Sequence, residues 1–281
     1  MSSTTFRTFA RSFGSKMYLC QIKIWKESYK PWLIYFSERL WDNTSEILPL
    51  SLDILVNNSI YINEKPVRTH LVNVYACLTV SMIAAAIGAY VHLFTNFLSA
   101  GLFTTLGATG LLLALMYTQD NGKNRSLRIS YLVGFTFFTG LGIGPVLEYV
   151  IHVDPSIIPT AFLASTLVFT SFSLSAIFAE RGKWLYLGGT LMSLLSVLMC
   201  LSLANLFLGS DLIFKSYLYL GLALMSGFVL YDTQLIMEKR RAGDKDFIAH
   251  SVDLFVDFIG IFRRLLIILA QKEQGSKKRK D

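Results

Sequence analysis

"AHSVDLFVDFIGIFRRLLIIL", residues 249–269, is greasy enough for a membrane yet carries Asp253, Asp257, Arg263 and Arg264. At 3.6 residues per turn, His250, Asp253, Asp257, Gly260 and Arg264 fall along one stripe, and Leu254, Phe255, Phe258, Ile259, Phe262 and Leu266 cover much of the rest. A central Asp facing lipid costs about 2.5–3.5 kcal/mol, so the stripe is expected to turn into a helix bundle or a wet cavity. With a helix beginning near residue 247, Asp257 lies about 15 Å in, whereas Asp253 is nearer the entrance.

The rest of the chain supplies the bundle. Of 281 residues, 53% are hydrophobic and only 16% charged, against about 25% charged in soluble domains. Mean hydropathy is +0.49. Apolar blocks near 71–95, 98–118, 127–151, 158–179, 184–208 and 213–236 each approach the ~20 residues that cross a bilayer core. The expected fold is an all-α membrane protein: six transmembrane helices plus a seventh, charged helix at 247–270 that is central or re-entrant. Short gaps predict that consecutive spans are antiparallel neighbours. The chain divides into a basic extension (1–69), one membrane domain (70–270) and a basic tail (271–281).

Charge in the gaps alternates. Lys123 and Arg125, then Arg181 and Lys183, then Lys239, Arg240, Arg241 and Lys245 mark one side, and the gaps at 96–97, 152–157 and 209–212 have no Lys or Arg. By the positive-inside rule the N-terminus is cytosolic. The tail "KKRKD", 277–281, favours the same side by its charge, which would make the last segment re-entrant. The net charge of +7 is thus loop bias facing membrane lipid rather than a nucleic-acid surface. Residues 1–26, with Arg7, Arg11, Lys16, Lys23 and Lys26 and no acid, read as a cytosolic basic tail or a mitochondrial transit peptide.

Cys20, Cys77 and Cys200 show no metal-ligand spacing, and four His form no paired pattern, so no structural metal or cofactor is expected. No nucleophile set is organised, and the chain reads as a non-enzyme. The second carboxylate of interest is Asp232 in "GFVLYDTQLIMEKRR", which would approach Asp257 across the 237–246 loop. Two carboxylates in a poorly solvated site cannot both ionise cheaply and tend to share a proton, so the pair titrates as a unit. Such a pair can sense protons, hold a cation, or both. Glu148, after Pro145 near the far end of the third span, is an interfacial acid or a cation entry site. "GLGIGP", 140–145, lies in an apolar span and reads as close helix contact rather than a nucleotide loop.

"GFVLYDTQLIMEKRRAGDKDFIAHSVDLFVDFIGIFRRLLIIL" (227–269), "VYACLTVSMIAAAIGAYVH" (74–92), "GFTFFTGLGIGPVLEYVIHVDPSIIPTAF" (134–162) and "LYLGGTLMSLLS" (185–196) together resemble the Bax inhibitor family, nearest its endoplasmic-reticulum branch. The resemblance implies a multi-pass suppressor of cell death in the endoplasmic-reticulum membrane, with a pH-sensitive calcium leak and Ca2+ as the permeating ion. It also implies that Asp232 and Asp257 form the latch of the pore; by their own positions Asp253, His250, Arg264 and Glu148 are the residues expected to support it. Implied partners are Bcl-2-type death regulators and other endoplasmic-reticulum membrane proteins. The alternatives are a non-conducting scaffold for such regulators or a mitochondrial inner-membrane relative. Bacterial relatives carry an arginine on the second span that meets the latch; "LSAGLFTTLGATGLLLALMYT" here has no basic residue.

Overall fold

The computed structural model describes residues 64–94 and 101–277. The basic extension up to residue 63 and the last four residues of the tail lie outside it. Seven α-helices and no strand occur among the described residues: α1 Lys65–Phe94, α2 Leu102–Tyr117, α3 Arg125–Val153, α4 Ile157–Phe178, α5 Leu187–Leu208, α6 Asp211–Arg241 and α7 Phe247–Lys277. Helices α1, α3, α4, α5 and α6 are long and apolar enough to cross a membrane, and α2 is a shorter apolar helix of 16 residues. The protein is an all-α membrane protein. Its outward faces agree: Leu163 and Leu167 on α4, Phe207 on α5 and Phe103 on α2 are all exposed, an apolar exterior suited to acyl chains rather than water.

The helices end where backbone chemistry tells them to. Helix α5 stops at Gly209, whose left-handed φ of 59° lets its N–H reach back to the Asn205 carbonyl at 2.9 Å. The sharp turn from α6 into α7 uses Gly243 at φ 104°. Asp246 then opens α7, its Oδ1 accepting the Ala249 N–H at 3.0 Å.

Helix α7 is the axis of the bundle, packed against α1, α3, α4 and α6. Leu254, Phe255, Ile261 and Leu266 are completely buried. This central placement is what the charged stripe demanded. The element α7 is one unbroken helix of 31 residues, about 46 Å long at 1.5 Å per residue. Its first turn lies beside the start of α3, with Arg125 stacked 5.1 Å from the centre of the Phe247 ring. Its last residue, Lys277, donates to the Val153 carbonyl at the other end of α3, at 2.7 Å. Helix α7 therefore runs the whole length of α3.

The expectation that consecutive spans are neighbours holds for α2 with α3, α5 with α6, and α6 with α7, but α1 packs chiefly on α3, and α4 on α6. Small residues are the cause. A Cβ on Gly140 would sit 1.9 Å from the Ala85 carbonyl oxygen, and one on Gly88 would sit 2.1 Å from that of Phe137. Backbones this close leave no room for a Cβ at either glycine. The stretch at 140–145 is therefore a helix-contact surface, and Pro145 stays inside α3.

Gln234 ties α4 to α6. Fully buried on α6, it accepts the Trp184 N–H at 2.7 Å and donates to the carbonyls of Ala176 and Glu180 at 3.3 and 3.0 Å. It thereby serves the end of α4, whose last carbonyls have no helical partner. Gln234→Leu, similar in size but unable to bond, is expected to lower stability by about 1–3 kcal/mol, seen as earlier unfolding of the detergent-solubilised protein.

Candidate functional site

Helices α6 and α7 form an antiparallel hairpin around the turn at 242–246. Asp232 stands nine residues before the end of α6 at Arg241, and Asp257 ten residues after the start of α7 at Phe247. Both therefore sit about 14–15 Å from the turn, and equal depth on facing helices brings the two carboxyls together. They lie within hydrogen-bonding reach of each other. Asp232 is 8% exposed and Asp257 1%.

No donor from the described protein reaches either oxygen of Asp257. A hydrogen bond to Asp232 can form only when one carboxyl carries a proton, since two carboxylates only accept. Asp253, half-buried one turn earlier on α7, acts electrostatically on both. Lys239 on α6 and His250 on α7 face Asp253 in turn. The arrangement can store one proton between two acids, or offer negative charge to a cation when the proton leaves.

The other expected residues are placed apart. Arg264 lies almost two turns further along α7, donating to the Gly260 carbonyl at 3.0 Å and lying 5.8 Å from the Tyr217 ring centre. Gly221 of α6 leaves room for its guanidinium, because a Cβ there would meet Nε at 2.3 Å. Glu148 is at the opposite end of the bundle, 3.3 Å from Nε2 of buried His92 on α1. His250 is buried, and its principal partners are His70, whose Nε2 is 2.9 Å from Nδ1, and Asp244, whose Oδ2 is 3.5 Å from Nε2. That bond to His250, with the Asp246 N–H, holds the Asp244 carboxyl well below the usual carboxylate range.

Two features escaped the sequence reading. His70 sits in "VRTHLVNVY", where it passes for a polar residue at a helix entrance. Arg128, at 2% exposure, makes a two-pronged pair with Asp246, at 2.8 Å to Oδ1 and 2.5 Å to Oδ2. Its signal was available: Arg128 lies inside the apolar span 127–151, one helical turn on from Arg125. Among the described residues no group of three or more His, Cys, Asp or Glu is arranged to hold a metal ion.

Comparison with known proteins places this geometry in context. The family model described as "Inhibitor of apoptosis-promoting Bax1" matches residues 67–274, which enclose every residue of the carboxylate cluster. The chain is 52% identical to Bax inhibitor 1 of Mus musculus over 213 residues, 76% of this chain and 90% of that protein. It is 51% identical to Bax inhibitor 1 of Homo sapiens over the same length and coverage. Identity to Bax inhibitor 1 of Arabidopsis thaliana is 41% over 204 residues, 72% of this chain and 81% of that protein.

Proposed function

The chain belongs to the Bax inhibitor family, and on that footing we propose that it suppresses apoptosis from the endoplasmic-reticulum membrane and lets Ca2+ leak through a pore latched by Asp232 and Asp257. The observation that carries the reading is the opposed, buried pair whose Asp257 oxygens receive no donor from elsewhere in the described protein. With one shared proton, the two acids bond and hold α6 against α7. With both ionised, they repel at short range and attract a divalent cation, which is what a proton-sensitive calcium gate requires. Asp253 and Lys239 set the field around the pair. The basic ends of α3 and α6 and the turn after α6 face the cytosol in this reading, by the positive-inside rule.

The test is Ca2+ flux from liposomes holding the purified protein, measured across pH. Asparagine at position 257 carries an amide donor at every pH and so keeps a hydrogen bond to Asp232 permanently available. The unaltered protein is expected to change its flux several-fold with pH, and Asp257→Asn is expected to remove that change. Unchanged pH dependence would sink the latch. Cells protected from death by a variant that passes no Ca2+ would favour a scaffold for death regulators instead.

A further inference from the structure

Near the turn between α6 and α7, well above the aspartate pair, two buried histidines from different helices meet. His70 on α1 is 5% exposed and His250 on α7 is 2% exposed. Their rings cross at 74° with centroids 5.1 Å apart, and Nε2 of His70 lies 2.9 Å from Nδ1 of His250. Such a bond needs one ring to donate and the other to keep a lone pair.

We propose that His70 and His250 form a proton-binding clasp that fastens α1 to the start of α7 and opens when a second proton is bound. Its chemistry follows from which groups surround it. Asp244 faces Nε2 of His250 at 3.5 Å, so that nitrogen carries a hydrogen. Nδ1 then holds the lone pair and accepts the Nε2 hydrogen of His70. A first proton adds to the outer nitrogen of His70, and the bridging hydrogen moves across to His250. His250 becomes imidazolium beside the Asp244 carboxylate, and the bridge survives with its direction reversed.

A second proton fills the last lone pair. Both rings are then cations, the bridge has no acceptor, and two positive charges are held a few ångströms apart. The neighbours relieve them only in part. Arg240 on α6 adds a third positive charge facing His70, against Asp244 and Asp246 of the turn. Asp246 is already engaged by Arg128 of α3, and Asp253, with Lys239 beside it, faces His250 from the next turn of α7. Like charges in this enclosure push α1 away from α7.

The clasp deepens the reading of the aspartate latch, because both fasten the same helix, but it rests on different residues. The test uses the full chain in lipid nanodiscs, with Cys20, Cys77 and Cys200 replaced by serine and spin labels on cysteines placed at exposed Thr69 and Lys245. The distance between labels is read by pulsed electron resonance as pH is lowered through the range in which histidine ordinarily titrates, near 6.5, and well below it, because the second proton must enter a buried site beside a positive charge. The distance is expected to lengthen on the acid side in the parent. It should stay constant in His70→Gln and His250→Gln, whose amides keep a hydrogen bond but take no proton. Asp257→Asn should still lengthen, even where its Ca2+ flux has lost pH dependence. A constant distance in the parent overturns the clasp, as does lengthening retained in both glutamine variants. Lengthening lost only in Asp257→Asn would assign the movement to the aspartates and overturn the clasp as well.

Discussion

Asp246→Ala is expected to lower stability by about 3–5 kcal/mol, the cost of leaving a buried charge without its partner. Arg128 is 2% exposed, and Asp246 supplies both of its short bonds. The next acid, Asp120, is 4.0 Å away, too far for a hydrogen bond. The same carboxylate opens α7 by accepting the Ala249 N–H, so alanine also removes a helix cap worth about 1 kcal/mol. The converse change should be milder. Arg128→Met deletes the buried charge and keeps much of the volume, and the Asp246 side chain, 23% exposed, can turn to water. Denaturant unfolding in detergent should therefore rank Asp246→Ala well below Arg128→Met. The reverse order would mean that the pair is solvated in the folded protein.

Gly140→Val is the second large effect. The new side chain would start 1.9 Å from the Ala85 carbonyl oxygen and 2.8 Å from its Cα. Backbone cannot swing aside as a side chain can, so α1 and α3 must part along their shared face. Overpacking of this kind costs about 1–3 kcal/mol and occasionally more, and an obstacle made of backbone places it at the upper end. Gly110→Val on α2 is the control, since nothing lies within 4 Å of its Cβ position. Thermal unfolding followed by size-exclusion chromatography should separate the two clearly. Equal loss in both would show that helix propensity, not contact, decides.

The helices were legible from apolar runs alone, because a bilayer forces each crossing into a single long element. Their ends were less so. Helix α6 continues through "MEKRR" to Arg241, and α7 continues to Lys277, since leaving the apolar layer does not stop a helix made of good helix formers. The central position of α7 could be read from its charged stripe, and the meeting of Asp232 with Asp257 from equal distances about one turn. Pairing of helices could not. The partnership of α1 with α3 depends on where each helix's glycine meets the other's backbone, and the loop lengths carry no trace of it. The His70–His250 bond was hidden for the same reason: 180 residues separate the partners, and each alone resembles a polar residue at a helix mouth.

The position of α7 also bears on how the molecule is made. Ribosomes deliver α1 to α6 first, and the helix that fills the space among α1, α3, α4 and α6 is delivered after them. Until then the inner surfaces of those four helices have only lipid or one another to cover them, and Arg128 has no Asp246 to meet. The membrane-inserted intermediate is thus a ring waiting for its axle, and the last 31-residue helix closes assembly rather than extending it.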